Sequence, residues 1–313
     1  LSIAGRLIVK DGSKITTKNV NIDRDLVLIP NVAIHQNRQI NSGFSYNIAV
    51  DMMPLYSASD KKGTLLETAA EYAGCAKENV VGGDLYLYNR TPGTIWGAGD
   101  EFFSSARIDN LQCAYSTLIG FISAADEAKA VNVYASFDNE ETGSATKQGA
   151  GSILTRSIIK RIFKNFDYDN ETMECAFANG IGLSVDVAHA IHPNVPEKND
   201  PTNKLLLNHG FGIKTSAAER YASDPVVIGI IKSLCEKYNI RYQRFVNRSD
   251  IPGGSTLGAI AVANLPIRML DIGVPVLAMH SSRETMGIDD QLYLERILEE
   301  FFAALQNDGN NLK

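Results

Sequence analysis

The stretch Ala130-Val131-Asn132-Val133-Tyr134-Ala135-Ser136-Phe137-Asp138-Asn139-Glu140-Glu141-Thr142-Gly143-Ser144 reads as a strand running into an acidic turn. Three carboxylates fall within four positions at the end of that apolar run, where they repel one another and are costly to desolvate. Solvent, basic side chains or a metal must offset the cost. Two adjacent glutamates can also divide labour, one binding a metal while its neighbour stays free as a general base. A solvated acidic turn is the ordinary reading of so short a pattern, so the rest of the chain has to decide.

The chain has 313 residues, enough for one large or two ordinary domains. Its hydrophobic fraction of 44% and charged fraction of 21% are those of a water-soluble globular protein. A net charge of −6 gives no basic field for nucleic acid. No apolar run approaches the roughly 20 residues needed to cross a bilayer, and no signal-peptide pattern is present. Cys75, Cys113, Cys175 and Cys235 form no close pair and no zinc-ligand spacing, which predicts buried free thiols in a reducing cytoplasm.

The first hundred residues read mainly as β. Ser2–Val9 and Lys14–Val20 are strand candidates around the turn residues Lys10-Asp11-Gly12-Ser13. Leu26–Pro30 and Gly82–Tyr88 are further strand candidates, and Thr64–Ala73 has helical spacing closed by Gly74. From about Asp100 helices alternate with short apolar strands, which argues for an α/β layer architecture. The helices are expected at Leu111–Ala125, Ile153–Phe166, Pro225–Tyr238 and Asp289–Leu305. The strands are expected at Ile181–Val185, Ile260–Val262, Met269–Ile272 and Val274–Ala278.

At four junctions of these elements stands a side chain able to bind metal. Asp109 precedes a helix, where a helix cap is the usual duty of aspartate. Glu140 and Glu141 follow the first strand, Asp186 ends the strand at Val185, and His280 follows the apolar Val276-Leu277-Ala278-Met279. His189 and His192 share a helical face only if a helix forms before Pro193. Each residue alone has a bland explanation. Together they fit the rule that ligands gather outside the carboxyl ends of strands in open α/β sheets. Asp109, Glu141, Asp186 and His280 exceed what one metal with an open position needs. They fit a two-metal site with one bridging carboxylate, and their O and N donors suit zinc, manganese or cobalt. Glu140 would then be the proton acceptor.

Asp138–Ser144, Ser184–Asn194 and Met279-His280-Ser281-Ser282-Arg283-Glu284 closely resemble motifs of the aspartyl aminopeptidases. Arg107-Ile108-Asp109-Asn110-Leu111, Gly254-Ser255-Thr256-Leu257-Gly258, Leu1–Arg6 and Ile29–His35 match in the same order, so the resemblance runs from end to end. It implies a di-zinc exopeptidase-like α/β/α catalytic domain at 100–313, with an inserted β-rich dimerisation domain at 1–99. It implies that Asp109 bridges two divalent ions, most suitably zinc, that Glu141 and His280 complete one site, and that Asp186 belongs to the other. Glu140 would take a proton from the attacking water and pass it to the leaving amine. His35 matches a histidine that reaches the neighbouring subunit's active site, although by itself it reads as solvated. Lys214 matches a lysine associated with the substrate's acidic side chain, although by itself it reads as a surface lysine.

The resemblance also implies a further metal-binding histidine in a His-x-Asp segment upstream of the region matching Leu1. The histidines here are His35, His189, His192, His209 and His280, and none stands in such a segment. The expectation is an N-terminally incomplete version of a longer enzyme. That enzyme would be a cytoplasmic metalloaminopeptidase that removes N-terminal Asp or Glu from peptides and forms homo-oligomers built from dimers. No nucleic acid or membrane partner is expected. Alternatives are a related di-metal aminopeptidase of neutral specificity, an amidohydrolase, or an inactive chain that serves only in assembly.

Overall fold

The two-residue turn Gly12-Ser13 joins strands β1 (Ser2–Asp11) and β2 (Lys14–Asn21), with Asp11 opposite Lys14. This hairpin belongs to the first of two units in a computed structural model that describes residues 1–43, 45–124, 130–251 and 253–307. The units are Leu1–Pro92 and Gly93–Lys313. In the first, a short helix α1 (Ile48–Asp51), helix α2 (Thr64–Tyr72) and strand β3 (Val80–Tyr88) follow the hairpin. The three strands form an antiparallel sheet in the order β2-β1-β3. Leu7 and Val9 are buried while Arg6 between strand neighbours is exposed, the alternation of a sheet with one wet face. Ala69 and Ala70 of α2 join Ile3, Leu7, Val9 and Val20 in one core. The strand expected at Leu26–Pro30 is reduced to an isolated bridge between Leu28 and Leu55.

The second unit is mixed α/β with two sheets, the class expected. It opens with β4 (Thr94–Trp96), β5 (Phe102–Ser105) and α3 (Ile108–Ser123). Ala125, where the sequence places the end of α3, lies outside the described residues. Next come α4 (Leu154–Asn165), α5 (Asn170–Asn179), β6 (Ile181–Val185), β7 (Ala188–His189) and β8 (Phe211–Lys214). After α6 (Pro225–Tyr238) and β9 (Tyr242–Phe245) stand α7 (Leu257–Ala261), β10 (Arg268–Gly273) and β11 (Pro275–Leu277). β12 (Glu284–Gly287) and α8 (Ile288–Asn307) close the unit.

One sheet runs β6-β10-β8-β9 and the other β4-β5-β12-β11-β7. β10 is buried on both faces. Leu270 and Ile272 enter the main core with Val227, Ile231, Leu294 and Leu298 of α6 and α8, while Met269 packs on the opposite side against Ala261 of α7. That sandwich explains the nearly continuous apolar run of β10. Asp271 is its polar exception, fully buried and accepting hydrogen bonds from Ser184 Oγ and from the Ala222 N–H.

Two further strand expectations fail. Ala130–Ser136 forms no strand; among the described residues it has no ladder partner, and Tyr134 instead donates its hydroxyl to Ala114 O of α3. Ile260 lies in α7 rather than in a strand, because a short apolar run does not by itself distinguish the two. The condition under which His189 and His192 would share a helical face is not met, since Ala188–His189 pairs with β11. The four cysteines are free as expected, but Cys175 is exposed and Cys75 half-buried.

Candidate metal centre

Asp109 enters the site through a break in helical geometry. Arg107 is left-handed (φ 59°), and Asp109 has φ −73° and ψ 112°, so its side chain leaves the chain before α3 settles into regular turns. Glu140 and Glu141 occupy a single 3₁₀ turn, Glu140–Thr142, that follows left-handed Asn139. The Asn139 carbonyl accepts from the N–H groups of Thr142 and Ser144, and its side-chain oxygen accepts from Gln148 and Thr146, which fixes the turn. Asp138 is exposed and, among the described residues, its side chain accepts only its neighbour's N–H, so it is the solvated member of the acidic trio.

Asp186 follows β6, and its N–H still donates to Ile272 O of β10 at 2.9 Å. The approach is close at Gly273, where an added Cβ would stand 1.6 Å from the Asp186 carbonyl oxygen. His280 leaves β11 through a corner in which Ala278 (φ 56°) and His280 itself (φ 66°) are left-handed.

The chain thereby brings Asp109, Glu141 and His280 together. One ligand atom from each lies within 4.8 Å of the others. His280 Nε2 stands 3.1 Å from Asp109 Oδ2 and 3.3 Å from Glu141 Oε2. Donors about 2.0–2.1 Å from a tetrahedral ion are about 3.3 Å apart, so this O, O, N set fits a zinc-sized cation. Asp109, Glu141, His280, Glu140, Asp186 and Lys214 all line one cavity of ≈ 280 Å³.

Negative charge dominates that cavity. Burial, then the charges of Asp186, Glu141 and Glu284, push the Asp109 carboxyl up to about 7, against a smaller opposing effect of His280. Burial, then Asp186 and Glu141, also raise Glu140. Lys214 is fully buried at the end of β8, not a surface lysine. Its Nζ donates to Val187 O at 2.9 Å and stands 3.7 Å from Asp186 Oδ2 and 5.5 Å from the Tyr221 ring centroid. Burial pulls its pKa down, but the negative charges of Asp186 and Asp271 outweigh that and the net shift is upward.

His189 lines the cavity, whereas the His192 ring accepts the Asn194 N–H in an exposed loop. His35 lies in the other unit, in an exposed turn at 34–37. The sequence assigned no role to Glu284. Its carboxylate is buried and accepts the N–H groups of both Asp109 and His280. An acid four residues after a histidine carries no signal of that arrangement.

Among the described residues no helix is long and apolar enough to cross a membrane. Residues 1–302 match the family Aminopeptidase I zinc metalloprotease (M18). A probable M18 family aminopeptidase 2 of Clostridium acetobutylicum is 44% identical over 308 residues, covering 96% of this chain and 71% of the relative. The aspartyl aminopeptidase of Dictyostelium discoideum is 33% identical over 348 residues, with 96% and 72% covered. Among solved structures, Ape4 in its cryo-EM complex with Nbr1 superposes with TM-score 0.90 at 29% identity, covering all of this chain and 64% of that one. The dodecamer of Saccharomyces cerevisiae mApe1 gives TM-score 0.77 at 24% identity, with 99% and 70% covered, and shows the fold alone. The chain thus spans 64% of the Ape4 chain and 71% and 72% of the two curated relatives. It belongs to the M18 family of zinc metallo-aminopeptidases, hydrolases of peptide bonds.

Proposed function

We propose that this chain carries the catalytic centre of an aminopeptidase that removes an N-terminal Asp or Glu from peptides. The observation that carries the reading is the convergence of Asp109, Glu141 and His280 in one cavity with Glu140 and Lys214. Asp109, Glu141 and His280 would hold a divalent ion, zinc by family and chemically replaceable by cobalt or manganese. Asp186 would serve a second ion, which Asp109 would also help to hold. Such ions supply Lewis-acid polarisation of the scissile carbonyl and make water a better nucleophile.

Glu140 is the proposed proton shuttle. It stands beside a ligand without belonging to the ligand group, and its raised pKa brings it nearer the range in which a carboxylate exchanges protons at neutral pH. It accepts a proton from the attacking water and returns it to the leaving amine. Lys214 offers the positive charge that an acidic substrate side chain would seek. An ammonium has three donors; Val187 O takes one, and the Asp186 carboxylate stands nearby. The name of the Dictyostelium relative supports the acidic preference.

The same reading includes a homo-oligomer, in which the first unit would mediate dimerisation and His35 would serve a neighbouring copy's site. Four free cysteines accord with a reducing cytoplasm.

A panel of aminoacyl anilides with Asp, Glu, Ala, Leu and Lys, assayed with zinc, cobalt and manganese, tests the reading. The highest kcat/KM is expected for Asp and Glu. The engagement of Lys214 with Asp186 favours a second reading, in which Lys214 only balances that carboxylate and the enzyme prefers neutral residues. Faster cleavage of the Ala or Leu substrates would select it.

A further inference from the structure

Glu284 opens β12, the strand between β5 and β11 in the five-stranded sheet. Its register partner on β5 is Ser105, from which the chain runs on to Asp109. On the other side, β11 runs on to His280. Glu284 is 2% exposed. One oxygen, Oε2, accepts the Asp109 N–H at 2.9 Å, and the other, Oε1, accepts the His280 N–H at 2.8 Å. A carboxylate is the side chain of this length with two acceptor atoms and no donor, so the match to two converging N–H groups is chemical as well as geometric. Both donors sit in irregular backbone, Asp109 in a non-helical stretch of α3 and His280 in the left-handed region. Such conformations persist only where neighbours hold them.

We propose that Glu284 is a positioning residue of the metal centre, fixing the separation of Asp109 and His280 by gripping the main chain of both. The inference rests on the reading of those two residues as ligands. Glu284 itself donates nothing to the ion and touches no substrate.

Glu284→Gln keeps the shape but turns an N–H₂ toward one of the two N–H groups, so one main-chain anchor is lost. Zinc affinity of the 313-residue chain, measured by competition with a chromophoric chelator, should fall about 10–100-fold, the usual consequence of removing a group that orients ligands. Asp290 supplies the control. It is fully buried, accepts the N–H groups of Asn208 and Gly210 in the same two-handed manner, and does not line the cavity. Asp290→Asn should lower the urea midpoint and leave zinc affinity within about twofold.

Unchanged zinc affinity in Glu284→Gln overturns the inference, and so does an equal loss in Asp290→Asn, which would indicate general loosening. If Glu284→Gln does not fold, Glu284→Asp is read in its place, since it keeps both acceptors but withdraws them by one methylene. Failure of both variants to fold makes Glu284 a determinant of the core and also overturns it. Absence of zinc binding by the parent chain defeats the ligand assignment itself, and the inference with it; binding that survives in Glu284→Gln defeats the inference alone.

Discussion

In the metal-free chain Asp109 is a carboxylate held where its charge is least welcome. Its side chain is 7% exposed, and its pKa is pushed from 3.8 to about 7. The difference, 7 − 3.8, is about 3 units, worth about 4 kcal/mol at roughly 1.36 kcal/mol per unit. The folded-state pKa lies above the unfolded one, so folding binds this proton more tightly. The corresponding stability is fully present below about pH 4 and is lost as pH rises through about 7. Asp109→Asn removes the titration and keeps the shape. Urea unfolding in a chelator from pH 4 to 8, followed by circular dichroism and by the fluorescence of the sole tryptophan, Trp96, measures both curves. The parent should lose about 4 kcal/mol more than the variant across that window. Asp290, whose pKa burial also pushes to about 7, contributes equally to both and cancels. Parallel curves would refute the argument, for they would show that Asp109 ionises in the folded chain as easily as in the unfolded one.

Three other outcomes follow from the same geometry. Glu140→Gln should lower kcat by about 10²–10⁴-fold while zinc content is unchanged; turnover near that of the parent would remove Glu140 from proton transfer. Lys214→Met should lower kcat/KM for Asp and Glu substrates relative to Leu if the ammonium meets the substrate, and lower all substrates alike if it serves Asp186 only. Gly258→Ala places a Cβ 2.7 Å from Ser184 Cβ and 2.8 Å from Asp271 Oδ2, both buried. The fold should lose about 1–3 kcal/mol, read as a shift in the urea midpoint.

Where local chemistry alone determines an element, the sequence was a reliable guide. Pro225–Tyr238 forms as expected because Pro225 suits a first turn, the Asp224 side chain accepts from Val226 and Val227, and Val227, Ile230, Ile231 and Leu234 line one face. Ile181–Val185 also forms, with Asp186 at its end. Prediction failed where an element depends on what lies beside it. A strand is defined by its partner, and Ala130–Ser136 lies against α3 through Tyr134, whose ring also packs on Phe121, without joining a ladder. β8 was missed because Phe211-Gly212-Ile213-Lys214 ends in a charge that looks solvent-bound, yet Lys214 is buried beside two acids. The candidate ligands could be read from the sequence because they are unusual residues at the ends of apolar segments. Glu284 and Asp271 could not, because their roles arise from N–H groups that only the folded chain brings to them.

Irregular backbone is present in each of the segments that deliver the centre. Arg107, Asn139, Ser144, Ala278 and His280 are non-glycine residues with positive φ, and they lie in the three segments that deliver Asp109, the glutamate pair and His280. A left-handed non-glycine residue costs of order 1–3 kcal/mol unless its surroundings impose it. Here the surroundings do: Asn139 is tied by the N–H groups that its carbonyl accepts, and His280 by Glu284. The corners let three chain segments turn their acids and imidazole toward one another, with Asp109 buried and Glu141 and His280 open to solvent. Charge repulsion and strained corners both disfavour the metal-free fold, and on the proposed ligand assignment a divalent ion would remove the first of these by binding the residues that the second has placed. With Asp109 as a ligand, zinc and protons would compete for it, so zinc affinity should fall as pH drops below about 7. A zinc affinity independent of pH across that range would separate the ion from Asp109 and leave the corners without the purpose assigned to them.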